Sequence, residues 1–240
     1  MYFEDVYDLL MDESVYEEWQ TFFKLYFNLD KSLHILDLGC GSAQLTIQLA
    51  QAGFKITGLD LSEDMLARAS FNQGESNTFF PLVQADMTDL SDFGFYDGII
   101  SSLDSICYLE NQENVSRVFN EAYVHLNEGG YFIFDVHSTY QMEDLYPGYM
   151  YNHSREKFSF MWTAYQGKEP YSVIHDMDLF INEDKMYRKK ERTIKEKTYP
   201  LEDYQLMLKS AGFTQVNVYD GFGKNPIHEE SPRWFFVCKK

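Results

Sequence analysis

Two carboxylates bracket the part of this sequence best suited to chemistry. Asp37 stands just before a glycine turn, Gly39-Cys40-Gly41, and Asp60 closes the next apolar run. Glycines let the backbone approach a ligand closely and adopt positive φ, here at the start of a helix whose free amides face the ligand. A carboxylate about 20 residues past such a turn can accept both hydroxyls of a ribose, a role common to several nucleoside cofactors. A dinucleotide turn has a third glycine that permits tight packing around a pyrophosphate, and that position here is Gln44. The charge of Asp37 would also oppose a pyrophosphate but suits a cation. Asp86, in Gln84-Ala85-Asp86-Met87, is placed to accept from an adenine amino group. Together these residues favour S-adenosylmethionine over NAD.

The elements that must hold these groups follow from periodicity. Residues 34–38 read as a short buried strand, followed by a helix through Leu45, Leu49 and Ala52 with Gly53 past its end. Residues 55–60 form a second strand. Ser62 caps a helix reaching about Ala69, with Glu63 and Asp64 at its positive end. Residues 79–85 and 96–102 read as further strands. A helix over 111–126, ended by Gly129-Gly130, leads to a strand over 131–136. Strands alternating with helices predict a doubly wound, mostly parallel α/β sheet with its ligand at the strand C-termini. The expected sheet has seven strands, the last antiparallel.

Three alternating runs, 156–165, 171–181 and 185–194, break that pattern and read as an antiparallel β insertion, a lid or wall. Pro200 then opens a helix through Ala211, and strands over 215–219 and 233–238 complete the main sheet. At the start, Val15, Trp19, Phe22, Phe23 and Tyr26 form the apolar stripe of an amphipathic helix. The expected organisation is an N-terminal helical lid over 1–30, a nucleoside-binding domain over 31–140 and 198–240, and the insertion over 141–197.

With 45% hydrophobic and 17% aromatic residues, the 240-residue chain has the composition of a folded protein with a sizeable core. A net charge of −18 argues against nucleic acid, whose binding draws on many Lys and Arg contacts to phosphate. The run Lys185, Arg188, Lys189, Lys190, Arg192, Lys195, Lys197 reads instead as a solvated strand edge, where lysines block aggregation. Cys40, Cys107 and Cys238 are far apart and suggest neither a disulfide framework nor a metal site. No apolar run spans a bilayer, and the opening Met1-Tyr2-Phe3-Glu4-Asp5 is no signal peptide, so a cytoplasmic location is expected. Oligomeric state leaves no mark on the sequence.

The segments quoted above resemble a known family. Residues Ile35-Leu36-Asp37-Leu38-Gly39-Cys40-Gly41 are similar to the first motif of the class I, Rossmann-like S-adenosylmethionine-dependent methyltransferases. Gly58-Leu59-Asp60-Leu61-Ser62-Glu63-Asp64-Met65-Leu66 is similar to their second motif, Gln84-Ala85-Asp86-Met87 to the third and Phe95-Tyr96-Asp97-Gly98-Ile99-Ile100 to the fourth. The opening Tyr7-Asp8, Tyr16 and Trp19, with the β insertion, further resembles a subgroup of small bacterial methyltransferases without an assigned substrate. The resemblance implies Asp37, Gly39, Cys40 and Gly41 around the methionine part and Asp60 on the ribose. It implies Leu61 and Met65 against adenine, Asp86 and Met87 at its edge, and Ser102 near the amine. Where the family often has glycine two residues after Gly41, this chain has Ala43, which must keep negative φ or accept strain.

Methyl transfer from a sulfonium draws much of its rate from alignment and desolvation, with a base only if the nucleophile starts protonated. Asp104, Tyr108 and His137, after the fourth and fifth strands, are the candidate bases, and His175 reaches the same region from the insertion. Two of them have a plainer reading: a satisfied structural histidine for His137, a wall residue for Tyr108. Tyr7, Tyr16 and Trp19 either close over the cofactor or pack a core. Ser101-Ser102-Leu103-Asp104 lacks the Asn/Asp-Pro-Pro-Tyr/Phe of enzymes that methylate planar amino groups, which disfavours DNA. The expectation is a methyltransferase for a small-molecule acceptor that releases S-adenosylhomocysteine. The alternatives are a non-catalytic nucleoside-binding or regulatory protein, an enzyme acting on tRNA or protein, and an NAD-dependent oxidoreductase.

Overall fold

The computed structural model describes residues 3–10, 12–27, 32–183 and 186–240, with Tyr7 and Asp8 described by their backbone alone. Two helices, α1 (Phe3–Leu10) and α2 (Ser14–Lys24), precede an alternation of strands and helices. The alternation runs β1 (His34–Leu38), α3 (Gln44–Gln51), β2 (Lys55–Asp60), α4 (Glu63–Ser76), β3 (Leu82–Gln84), β4 (Tyr96–Ser101), α5 (Gln112–His125) and β5 (Leu126–His137). An antiparallel insertion follows: β6 (Met150–Ser154), β7 (Phe158–Gln166), β8 (Ser172–Glu183) and β9 (Met186–Lys197). The chain then returns through α6 (Leu201–Ala211), β10 (Gln215–Asp220), β11 (Asn225–Pro226) and β12 (Arg233–Lys239).

The main sheet has the order β11-β10-β12-β5-β4-β1-β2-β3. Strands β3, β2, β1, β4 and β5 are mutually parallel, because crossovers return the chain to the same end each time, through α3, α4 and α5 and, between β3 and β4, through a loop. The last strand, β12, runs antiparallel to β5 and to β10. The seven expected strands are present, and the two-residue β11 pairs with β10 at the edge as an eighth. The expected cap at Ser62 is present, its Oγ accepting from the Met65 amide at 3.2 Å, and Asn111 Oδ1 caps α5 by accepting from the Asn114 amide at 2.9 Å.

Aromatic residues fill both layers. On one face Phe119, Phe132, Phe134, Tyr204 and Phe236 pack α5 and α6 against the sheet, with Phe134 and Phe236 stacked at 4.6 Å. On the other face α2 buries Trp19, Phe22 and Phe23 against Ile35 and Phe235. Trp19 is fully buried and Tyr16 nearly so, which corrects their expected place in a lid. Their stripe is core packing, since a helix laid on a sheet buries its apolar side there rather than over a ligand. Helix α1 takes a different position: Phe3 and Val6 pack on Phe158, Phe160, Leu179 and Ile181 of the insertion. Its acids tie two elements together, Asp5 to Arg68 on α4 at 3.0 Å and Glu4 to Arg192 on β9 at 2.5 Å.

Four further expectations are corrected. The insertion has four strands, not three; β6 was missed because Met150-Tyr-Asn-His-Ser carries little apolar alternation on a half-exposed edge. The third strand begins at Leu82, and Phe79 is 71% exposed. Helix α5 ends at His125, and the glycine pair lies inside the extended segment Leu126–His137, where pairing with β4 shifts register. The solvated-edge reading of the basic strand holds for Arg188 and Lys189, which pair with nearby acids at the surface. It fails for Arg192, which reaches the buried Glu4 and lies 4.7 Å over the Phe3 ring. Lys185 lies outside the described residues.

Candidate functional site

The turn between β1 and α3 is drawn tight by backbone bonds. The amides of Gly39 and Cys40 both donate to the Leu59 carbonyl, at 2.8 and 2.9 Å. Asp60 locks the far side: Oδ2 accepts from the Gly41 amide and Oδ1 from the Ser62 amide, each at 2.8 Å. Each carboxylate oxygen retains a lone-pair direction beyond these bonds, so both can still accept a hydroxyl. Gly39 has φ +75°, and a Cβ there would come within 2.8 Å of Ser105, so only glycine fits. Ala43 adopts φ 64°, so the turn takes the strain that the missing glycine would have avoided, about 1–2 kcal/mol.

Asp37 sits beneath this turn with 1% of its surface exposed. Its Oδ2 accepts from the Thr46 hydroxyl at 2.6 Å, whereas its buried Oδ1 has no hydrogen bond among the described residues. Burial, reinforced by the neighbouring Asp60, pushes the carboxyl up to about 7, with Thr46 opposing. A buried acceptor without a donor is costly unless a ligand supplies one. An ammonium is a donor that also offsets the charge, so the residues present fit a cationic amino-acid nucleoside. Burial, with Asp37 and Asp60 nearby, raises the Cys40 thiol, keeping it protonated.

The other expected cofactor residues surround the same strand ends. Leu61 is 66% exposed just past Asp60, its carbonyl accepting from the Gln84 side chain at 3.2 Å. Met65 is half-buried on the first turn of α4, and the Met87 methyl would lie 3.1 Å from a Cβ at Gly39. Asp86 is exposed and accepts from the Thr88 amide and hydroxyl, both at 2.8 Å. Ser102 is buried, and its carbonyl accepts from the Ser105 hydroxyl at 2.8 Å. The Tyr7 side chain lies outside the described residues.

Ser105 joins this turn to a second group of side chains. Its hydroxyl also donates to the Gly39 carbonyl at 3.2 Å, and the next residue back is Asp104. Leu103 and Asp104 both have positive φ, 56° and 59°, an unusual pair for residues with side chains. Arg233 holds the strained corner by ion pairs to Asp104 and Asp135. Burial alone would raise Asp104, but the Arg233 guanidinium and His137 outweigh it and keep that carboxyl well below the usual range. Burial and the charge of Asp104 push Asp135 up to about 6, against the pull of Arg233.

His137 Nε2 lies 3.1 Å from Asp104 Oδ2, 3.0 Å from the Tyr146 hydroxyl and 3.5 Å from Glu196 Oε2. Glu196 in turn lies 3.4 Å from Nε2 of His175, and the Trp162 indole N–H donates to His175 Nδ1 at 3.0 Å. Asp104, His137 and His175 are thereby brought together, whereas Tyr108 is 48% exposed on the short helical turn beyond Asp104. Sequence reading missed Arg233, Asp135, Glu196, Tyr146 and Trp162. Asp135 did leave a signal: it is a charge inside an apolar strand, two residues before His137 and on the same face. The others come from distant elements and left none. Among the described residues no helix is long and apolar enough to cross a membrane, and no group of three His, Cys, Asp or Glu is arranged to hold a metal ion.

Residues 35–130 match a family described as "Methyltransferase domain". A protein of Geobacillus sp. strain WCH70, named provisionally as a methyltransferase, is 34% identical over 238 residues, 98% of this chain and 96% of its own length. One from Bacillus subtilis strain 168, similarly named, is 34% identical over 241 residues, 99% and 96%. Among solved structures, an S-adenosylmethionine-dependent methyltransferase from Clostridium acetobutylicum superimposes with a TM-score of 0.83 at 25% identity, covering 99% of this chain and 97% of that one.

Proposed function

The chain belongs to the class I S-adenosylmethionine-dependent methyltransferases, and we propose that it methylates a small molecule held at the C-terminal ends of the main strands beneath the β insertion. The observation that carries this reading is the buried run Asp104–His137–Glu196–His175, one residue from the Ser105 contact on Gly39. Ionisable groups that deep, against the methionine end of the cofactor turn, suit an enclosed acceptor better than a polymer. The basic strand supports the same preference, because Arg188, Lys189, Arg192 and Lys197 are already paired with acids of this chain.

S-adenosylmethionine supplies, when bound, a methyl group on a sulfonium. Asp37 and the backbone of the Gly39–Gly41 turn would hold its amino-acid part, with Cys40 and Ser102 beside them. Asp60 accepts the ribose hydroxyls, Leu61 and Met65 cover the adenine face, and Asp86 and Met87 meet its edge. On the acceptor side, the buried cluster of His137, Glu196 and His175 is where the proton of a protonated nucleophile would go, with Asp104 held ionised by Arg233 and His137. The cluster also excludes water from the line of attack.

Asp60→Ala removes the ribose acceptor and frees both amides that shape the turn. S-adenosylmethionine affinity measured by calorimetry should fall at least tenfold, about 1.4 kcal/mol or more. Near-wild-type affinity would contradict the ribose assignment. The acceptor class is read by incubating the enzyme and methyl-labelled cofactor with a cell extract. Label is expected in the small-molecule fraction, and label confined to RNA or protein would overturn the proposal.

A further inference from the structure

The acceptor side of the site carries more information than its position. Trp162, His175 and Glu196 come from three neighbouring strands of the insertion, with Ala164 paired to His175 and Val173 to Glu196. An indole nitrogen only donates, so the bond from Trp162 makes His175 Nδ1 the acceptor and leaves the ring hydrogen on Nε2. That Nε2 and Glu196 Oε2, both on side chains more than nine-tenths buried, have no hydrogen bond among the described residues. They lie 3.4 Å from each other without hydrogen-bond geometry, so the buried carboxylate oxygen, with only that contact and the 3.5 Å one to His137, keeps acceptor capacity for a ligand group.

Charge narrows what that group is. Asp135 and Glu196 are buried in the cluster beside Asp104, and Arg233 is engaged by the two aspartates, so among the described residues the ion pairs of Glu196 are with histidines. Further along β9, Arg192 is committed to Glu4. Aromatic rings complete the surroundings: Tyr149 and Trp162 lie 5.0 Å apart, and Tyr146 lies 4.8 Å from the His175 ring. Ring faces and a carboxylate with no fixed cation attract an ammonium, tolerate an alcohol and repel a carboxylate or phosphate.

We propose that the acceptor is a basic amine, bound as its ammonium between Glu196 and the rings of Tyr146, Tyr149 and Trp162; this rests on the function proposed above. The ammonium gives one proton to the Glu196 carboxylate, freeing the nitrogen lone pair. The nitrogen then bonds to the methyl carbon as the carbon–sulfur bond breaks and its electron pair stays on sulfur. The product is the N-methylated ammonium, and the proton on Glu196 returns to solvent.

The chain has three tryptophans, so an indole nitrogen-15 spectrum has three signals, and Trp162→Phe identifies the one that reports on the cluster. Protein loaded with S-adenosylhomocysteine is titrated with cyclohexylamine hydrochloride, cyclohexanol and sodium cyclohexanecarboxylate. The amine should move the Trp162 signal at concentrations roughly tenfold below the alcohol, with the carboxylate weaker still. Glu196→Gln should erase that preference while leaving S-adenosylhomocysteine affinity unchanged. Equal response to amine and alcohol, a stronger response to the carboxylate, or no response to millimolar amine overturns the proposal, and the wild-type comparison decides even if the variant misfolds. Failure of S-adenosylhomocysteine to bind would instead sink the methyltransferase reading itself.

Discussion

Asp37→Asn is expected to weaken S-adenosylmethionine binding by about 30- to 5,000-fold at pH 8, the loss for removing one partner of a buried, hydrogen-bonded charge pair, about 2–5 kcal/mol. The asparagine keeps the volume and the contact with Thr46 but removes the charge opposite the ammonium. The pH dependence makes the assignment specific. Without ligand the Asp37 carboxyl titrates near 7, because burial disfavours its charged form. A cationic ligand binds the ionised form, so wild-type affinity should fall about tenfold for each pH unit below 7 and level off above it. That slope should vanish in the variant. The same group acts on stability with the opposite sign. Its folded value lies above the model-peptide value near 3.9, so the ligand-free fold loses stability as pH rises from about 4 to 7. A wild-type affinity that is flat between pH 5 and 7 would remove Asp37 from the cofactor site.

Replacing Arg233 by methionine should lower folding stability by about 3–5 kcal/mol at pH 7.5, the cost of leaving buried carboxylates without their cation. Urea unfolding followed by circular dichroism measures it, and the melting temperature should fall by roughly 10 °C. Two acids lose their partner together, and the left-handed corner at Leu103 and Asp104 loses its clamp. The two acids carry opposite signs in the wild type. Asp104 is held below the ordinary value, so its contribution is present above about pH 4 and lost as pH falls through its folded value. Asp135 is raised to about 6, so its contribution is lost as pH rises from about 4 to 6. In the variant both acids can escape their penalty by taking up protons. Its deficit relative to wild type should therefore be largest above pH 6 and shrink towards pH 4. A variant as stable as wild type at pH 7.5 would show that Arg233 does not hold the acceptor-side corner.

These predictions concern the two halves of the site, which differ in how far the sequence reveals them. The proposed cofactor half draws on one local stretch of chain. Asp37, the Gly39–Gly41 turn, Asp60, Ser62 and Met65 lie within about 30 residues, on strands and helix starts whose periodicity and caps are set by near neighbours. The same locality made the alternation of the main sheet readable, along with most helix limits. Misreadings fell where burial overrides pattern. Trp19 carried the stripe of an amphipathic helix that could cover either a ligand or a sheet, and only packing against Phe22, Phe222 and Phe235 settled which.

The acceptor half was not legible, since its members come from the segments after β4 and after β5 and from β5, β7, β8, β9 and β12. Asp104 and Arg233 are far apart along the chain, and no local signal pairs a particular aspartate with a particular arginine. Asp135 could have been noticed as a charge in a buried strand, but its partner could not. The sequence alone determined that a doubly wound sheet sets a glycine turn and two carboxylates at its strand ends, because those features depend on propensity and spacing over a few turns of chain. Tertiary structure alone decided which ionisable groups meet above that turn. Their charges are tolerable only as a set, and a set drawn from six separate segments exists only once the insertion has folded down onto the strand ends.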